Sequence, residues 1–175
     1  MKKLLIVVDY QNDFVNGSLG FPEAERLEAP IAEKIALYRE EGQSVAFTFD
    51  THDENYLNTQ EGRRLPVPHC IRGTEGWELF GRVAGLVRDG DKLIYKPAFG
   101  SAELFDYLRQ SDYDSVELVG LVADICVISN AALAKAALPE AEVTVDAACT
   151  ASADPEKKRA ALEIMSSLQI NVINR

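Results

Sequence analysis

Lys3-Leu4-Leu5-Ile6-Val7-Val8-Asp9 places five aliphatic residues in a row, Leu4 to Val8, and closes them with a carboxylate. A strand with one wet face alternates polar with apolar residues. An unbroken run is covered on both faces, as in a parallel sheet flanked by helices. Two lysines precede the run as in an export signal, but the apolar stretch stops too soon for one, so the segment reads as a buried strand. Similar runs recur at Ser44–Phe49, Lys92–Tyr95, Val116–Gly120, Glu142–Val145 and Ile170–Ile173. Helical patterns fill the intervals. Leu27, Ile31, Ile35 and Tyr38 recur at helical spacing with Gly42 as a stop, and Leu104, Tyr107 and Leu108 follow a candidate N-cap, Ser101. Ala131 to Leu138 ends at Pro139, and Asp154-Pro155 opens a last helix whose Ala161, Ile164, Met165 and Leu168 are expected on one face. Strands alternating with helices require right-handed crossovers. They predict an α/β fold, a doubly wound, mostly parallel six-stranded sheet with helices on both faces, Rossmann-like in plan.

The 175 residues, 47% apolar and 26% charged, suit one domain over residues 1–175, large enough to hold its fold without a disulfide or metal. Acidic residues outnumber basic ones 28 to 18, for a net charge of −10, which disfavours nucleic acid and anionic membranes as partners. No apolar stretch approaches the roughly 20 residues of a membrane span, so the expected location is cytoplasmic. Three cysteines, Cys70, Cys126 and Cys149, make an odd count without CxxC spacing, which argues against a disulfide framework and a zinc knuckle. Histidines are two, His52 and His69.

In an open parallel sheet, ligands gather beyond the carboxyl ends of the strands. The first strand ends in Asp9, the third in Tyr95-Lys96, and the fourth leads through Gly120-Leu121-Val122-Ala123-Asp124-Ile125 to Cys126, which opens the alanine-rich helix. A thiol at a helix start near a lysine is favoured as a thiolate nucleophile, with Asp9 the better-placed proton acceptor. The ordinary reading stands beside it: a small buried side chain, a loop cap and a surface charge.

Asp50 to Gly76, a stretch rich in proline and glycine, contains both histidines. In an extended segment Asp50 and His52 project to the same side, and a returning loop can deliver His69, a ligand set with open positions for zinc, iron or manganese; Glu54 and Glu61 lie between. Two unrelated loop histidines are the alternative. Gly73-Thr74-Glu75-Gly76 reads as a turn into Trp77–Val83 or, less specifically, an anion cradle. Cys70 has no charge partner or helix start, and Cys149 is expected to pack near the end of its strand.

Four stretches in this order resemble the isochorismatase-like cysteine hydrolases, and among them the metal-containing nicotinamidase branch. They are Asp9-x-Gln11-x-Asp13-Phe14, Lys96 before Ser101-Ala102, Gly120-Leu121-Val122-Ala123-Asp124-Ile125-Cys126-Val127, and Asp50-x-His52 with Pro68-His69-Cys70-x-x-Gly73-Thr74. The resemblance implies a thioester mechanism in which Cys126 attacks an amide carbonyl, Asp9 takes its proton and Lys96 balances their charges. It implies an oxyanion hole at the amides of Val122 and Cys126, with a cis peptide joining Leu121 to Val122. It also implies one divalent ion, zinc before iron or manganese, on Asp50, His52 and His69, with Glu61 where relatives vary, and Phe14 as a wall for the substrate ring. Family members are usually homo-oligomers. The family's aromatic residue before Pro-x-His is replaced by Arg64-Leu65-Pro66-Val67-Pro68, so the second wall is expected to be aliphatic. A small aliphatic or ureido amide as substrate, or a non-catalytic binding protein of this fold, are the competing readings.

Overall fold

The computed structural model describes residues 1–175. Six strands form one sheet: β1 (Lys3–Val8), β2 (Ser44–Asp50), β3 (Lys92–Lys96), β4 (Ser115–Leu121), β5 (Glu142–Ala151) and β6 (Asn171–Ile173). Every pairing is parallel and the order is β3-β2-β1-β4-β5-β6. The chain therefore winds outward one way from β1 and the other way from β4, leaving a switch point between these two strands at their carboxyl ends.

Eight α-helical segments surround the sheet: α1 (Asn12–Val15), α2 (Pro22–Glu25), α3 (Glu28–Glu40), α4 (Gln60–Arg64), α5 (Gly81–Ala84), α6 (Ala102–Arg109), α7 (Ile128–Ala137) and α8 (Pro155–Ser167). Alternate residues of β1 divide the core. Leu4, Ile6 and Val8 pack with α6, α7 and α8, while Leu5 and Val7 pack with α3 and the shorter α1, α2 and α5. Ala131, Ala134 and Ala137 give α7 a thin inner face that lets it lie close to the sheet. Gly120 does the same between strands. Its φ is +107°, and a Cβ there would stand 2.1 Å from the Val8 carbonyl oxygen, so only glycine lets β4 run against β1 at this level.

Three details depart from the sequence reading. β5 continues to Ala151 where a strand ending at Val145 is expected, because the charge of Asp146 is answered by Lys34 at 2.6 Å and the strand crosses it, with a register shift against β4. The buried face of α8 is Ala161, Leu162 and Met165; Ile164 and Leu168 turn to solvent. The stretch Asp50–Gly76 carries more order than its composition suggests, with α4 and 3-10 turns at Tyr56–Asn58 and Glu75–Trp77. No helix is long and apolar enough to cross a membrane.

Candidate active site

Register brings the expected residues to one edge. Val8 is level with Thr48 and Gly120, and Asp50 is opposite Lys96, so Asp9, Asp50, Lys96 and the turn after β4 converge at the switch point. Asp9 leaves β1 with φ of 44°, in the left-handed region, which turns its side chain away from the strand direction. Its Oδ2 lies 2.6 Å from Lys96 Nζ, and the Thr48 hydroxyl donates to Oδ1 at 2.6 Å. Lys96 Nζ is also 3.4 Å from Asp50 Oδ1 and 3.6 Å from Cys126 Sγ, and donates to the Ala98 carbonyl at 3.1 Å. Asp9 and Lys96 are fully enclosed. Burial pushes the Asp9 carboxyl up, although Lys96 pulls it down. For Lys96 burial works against the charge, but Asp9, Cys126 and Asp50 hold the ammonium above its ordinary range.

Cys126 lies in a π-turn, Ala123–Val127, that runs into α7. The helix start expected at Cys126 is thus this wider turn, entered through a cis peptide between Leu121 and Val122. The Val122 carbonyl accepts from the N–H groups of both Ile125 and Val127. Asn130, one turn on, donates from Nδ2 to the carbonyls of Cys126 and Phe99 and accepts the Ser101 N–H, tying the Cys126 turn to the start of α6. The surroundings raise the proton affinity of the thiol. Burial, then the charge of Asp9, push it well above its ordinary pKa, and Lys96 only partly offsets them. The helix start and the nearby lysine, read from the sequence as favouring a thiolate, are opposed here by burial and by the Asp9 carboxylate. Cys70 and Cys149 are buried core residues, the latter pushed up to about 12 by burial.

Asp50, His52, Glu61 and His69 form a second cluster beside the first. His52 Nε2 and His69 Nε2 stand 3.0 and 3.3 Å from Asp50 Oδ2, and both are 3.7 Å from Glu61 Oε1. Donors about 2.0–2.1 Å from a tetrahedral zinc are separated by about 3.3 Å, so this spacing fits one ion. Tautomer chemistry agrees. His69 Nδ1–H donates to the Val67 carbonyl at 2.8 Å, which leaves the Nε2 lone pair of the neutral ring facing two carboxylate oxygens. Three acceptors converging on one point fit a cation between them. Gln11, fully buried, fixes this cluster to the first: its amide donates to the Asp50 carbonyl at 2.9 Å and accepts the Asp50 N–H at 2.8 Å.

Both clusters open into a cavity of about 220 Å³ walled by Phe14, Leu19, Phe21, Leu65, Phe99 and Ile125, with Cys126, Val122, Asp50, Glu61 and His69 at its base. Phe14 packs against the His69 ring at 5.5 Å. Leu65 is the aliphatic wall read from the sequence, but Phe21 and Phe99 add aromatic surface that the sequence reading missed. Phe99, three residues past the tip of β3, was detectable from its position; Phe21 becomes a wall only through the turn that returns the chain over the site. Gly73–Gly76 is a turn and no anion cradle: a Cβ on Gly76 would meet the Asp13 carboxylate at 2.1 Å, and that negative charge repels an anion.

Residues 3–175 match the isochorismatase domain family. The chain belongs to the isochorismatase family. An isochorismatase family protein of Bacillus subtilis, PncA, is 35% identical over 143 residues, covering 75% of this chain and 77% of that one. The crystal structure of nicotinamidase/pyrazinamidase PncA from Bacillus subtilis is similar at a TM-score of 0.87 and 32% identity, over 99% of this chain and 100% of that one. A pyrazinamidase of Pyrococcus horikoshii in complex with zinc gives 0.86 at 28% identity over 100% of both chains. The doubly wound sheet read from the strand pattern is the isochorismatase-family fold.

Proposed function

We propose that this isochorismatase-family protein is a cysteine amidase that converts nicotinamide to nicotinate and ammonia. The observation that carries the reading is the convergence of Cys126, Lys96 and Asp9 with a four-donor metal set at the base of one ring-walled cavity. Relatives named nicotinamidase or pyrazinamidase support it, and the aromatic surface of Phe14, Phe21 and Phe99 suits a flat heteroaromatic ring better than an aliphatic or ureido chain.

In this mechanism the Cys126 proton passes to Asp9 as sulfur attacks the carboxamide carbon. Two observations support the direction of transfer: burial raises the proton affinity of Asp9, and Lys96 lies within reach of both groups, where its ammonium compensates the negative charge whichever carries it. The carbonyl oxygen is received by the backbone N–H groups of Val122 and Cys126. Asp9 returns the proton to the departing amine, ammonia leaves, and water activated by Asp9 cleaves the thioester to restore the thiol. Asp50, His52, Glu61 and His69 would hold one divalent ion, zinc before iron or manganese, which when bound supplies a Lewis-acid anchor for the ring nitrogen. The reading extends to one domain over residues 1–175, working as a cytoplasmic homo-oligomer; the net charge of −10 supports a small-molecule partner over nucleic acid.

Incubating purified, zinc-loaded protein with nicotinamide tests the proposal. Equimolar nicotinate and ammonia are expected, and nicotinamide left intact while another small amide is cleaved would replace the substrate.

A further inference from the structure

Tyr56 is nearly fully buried, and the thioester mechanism leaves it without a task. Its ring packs against both histidines, at centroid distances of 4.7 Å from His52 and 4.9 Å from His69, while the two imidazoles lie 4.9 Å from each other. The three rings make a closed triangle in which Tyr56 props both imidazoles. Its hydroxyl donates to the Leu65 carbonyl at 2.9 Å, and Leu65 is a wall of the substrate cavity. Its carbonyl accepts from the Thr59 hydroxyl at 2.7 Å, and the Thr59 Oγ1 in turn caps α4 by accepting the Gly62 N–H at 3.0 Å. Glu61, the fourth donor, rides on this capped helix. Gly62 is pressed so closely on the Tyr56 carbonyl that a Cβ would stand 2.0 Å away, which locks the helix to the tyrosine.

One side chain and its peptide therefore touch both histidine rings, the helix bearing Glu61 and the wall bearing Leu65. We propose that Tyr56 is a positioning residue that couples the metal donors to the substrate wall, its ring orienting His52 and His69 and its hydroxyl setting Leu65. The proposal rests on the metal reading above. The two halves of the tyrosine have separable duties. Tyr56→Phe keeps the ring and drops the bond to Leu65; Tyr56→Leu and Tyr56→Met drop both, the methionine filling more of the vacated volume.

Zinc affinity measured by competition with a chromophoric chelator reads the first duty without reference to turnover, and KM against kcat reads the second. Loss of a residue that orients ligands from behind typically weakens metal binding 10- to 100-fold. Tyr56→Leu and Tyr56→Met, shown folded by circular dichroism, are expected to lose at least tenfold in zinc affinity. Tyr56→Phe is expected to stay within about twofold of wild type in zinc affinity and to raise the KM for nicotinamide several-fold with kcat little changed. A leucine or methionine variant with wild-type zinc affinity overturns the ring's role, as does a phenylalanine variant that loses zinc equally. An unchanged KM in Tyr56→Phe overturns the hydroxyl's role. If one variant fails to fold, the other two decide. Wild-type protein that binds no zinc, with His52→Ala indistinguishable from it, overturns the metal reading itself; wild-type binding with no effect at Tyr56 overturns only the coupling.

Discussion

Cys126, Cys70 and Cys149 are all buried and all have raised thiol pKa values, so burial does not separate the proposed nucleophile from its two counterparts. Access does: Cys126 alone among them lines the cavity at the switch point. Under native conditions iodoacetamide should label Cys126 and inactivate the protein in step, and Cys126→Ala should leave no rapidly labelled thiol and lower kcat by about a thousandfold or more. Peptide mapping checks this, and inactivation that follows Cys70 or Cys149 instead would remove the assignment. Asp9→Asn should cost about 10² to 10⁴ in kcat, the usual range for removing a general base, with the far-ultraviolet spectrum native. His52→Ala or His69→Ala should strip the metal and raise KM at least as much as kcat falls, because the proposed anchor holds the ring and takes no part in the proton transfers. Metal analysis of the purified variants decides that point.

Elements place these residues through their ends. Ser101 caps α6 by accepting the Leu104 N–H at 3.0 Å, and Asp154 caps α8 by accepting the Glu156 N–H at 2.9 Å. Ser101→Ala should cost about 1 kcal/mol, measured by urea unfolding. Asn130 is held more tightly and serves two elements. Its removal deletes the bonds to the Ser101 N–H and to the Cys126 and Phe99 carbonyls, so Asn130→Ala should cost about 3 kcal/mol and also lower kcat by loosening the turn that carries the thiol. The difference between the two substitutions is that the Ser101 hydroxyl serves one helix N-terminus, whereas the Asn130 amide grips the peptide of Cys126 itself.

Across the whole molecule the unusual feature is a charged cluster on the α3 side of the sheet, outside the candidate site. Lys34 bridges Glu117 at 2.5 Å and Asp146 at 2.6 Å, Tyr38 donates to Glu117 at 2.7 Å, and Asn174 donates to Asp146 at 3.1 Å. It ties α3 to β4, β5 and the segment after β6. Burial alone would raise the Asp146 pKa, but hydrogen bonds from Lys34, Asn174 and the Ala148 N–H hold it below its ordinary value. A depressed carboxyl pKa stabilises the fold above the ordinary value, about 3.9, and that contribution disappears as pH falls through the lower folded value. Asp146→Asn should therefore cost about 2 kcal/mol at pH 7, with its unfolding curve converging on wild type as pH falls from neutrality to below the ordinary carboxylate range. A constant gap across that range, measured by denaturant unfolding at each pH, would assign the loss to packing instead.

The sequence by itself determined the layered sheet, because unbroken aliphatic runs such as Leu4–Val8 can be covered only on both faces. It also determined which residues end the strands, since Asp9 and Lys96 close such runs and Cys126 follows one. These are properties of short windows, where burial and backbone geometry act on neighbours. Tertiary structure decided the rest. The raised proton affinity of the thiol comes from burial combined with the charge of Asp9, a residue 117 positions away in the chain. The extension of β5 through Asp146 depends on Lys34 of another element, and Phe21, Gln11 and Tyr56 acquire their places from loops that fold back over the sheet edge. Desolvation and charge pairing depend on distance through space, which a linear pattern does not encode.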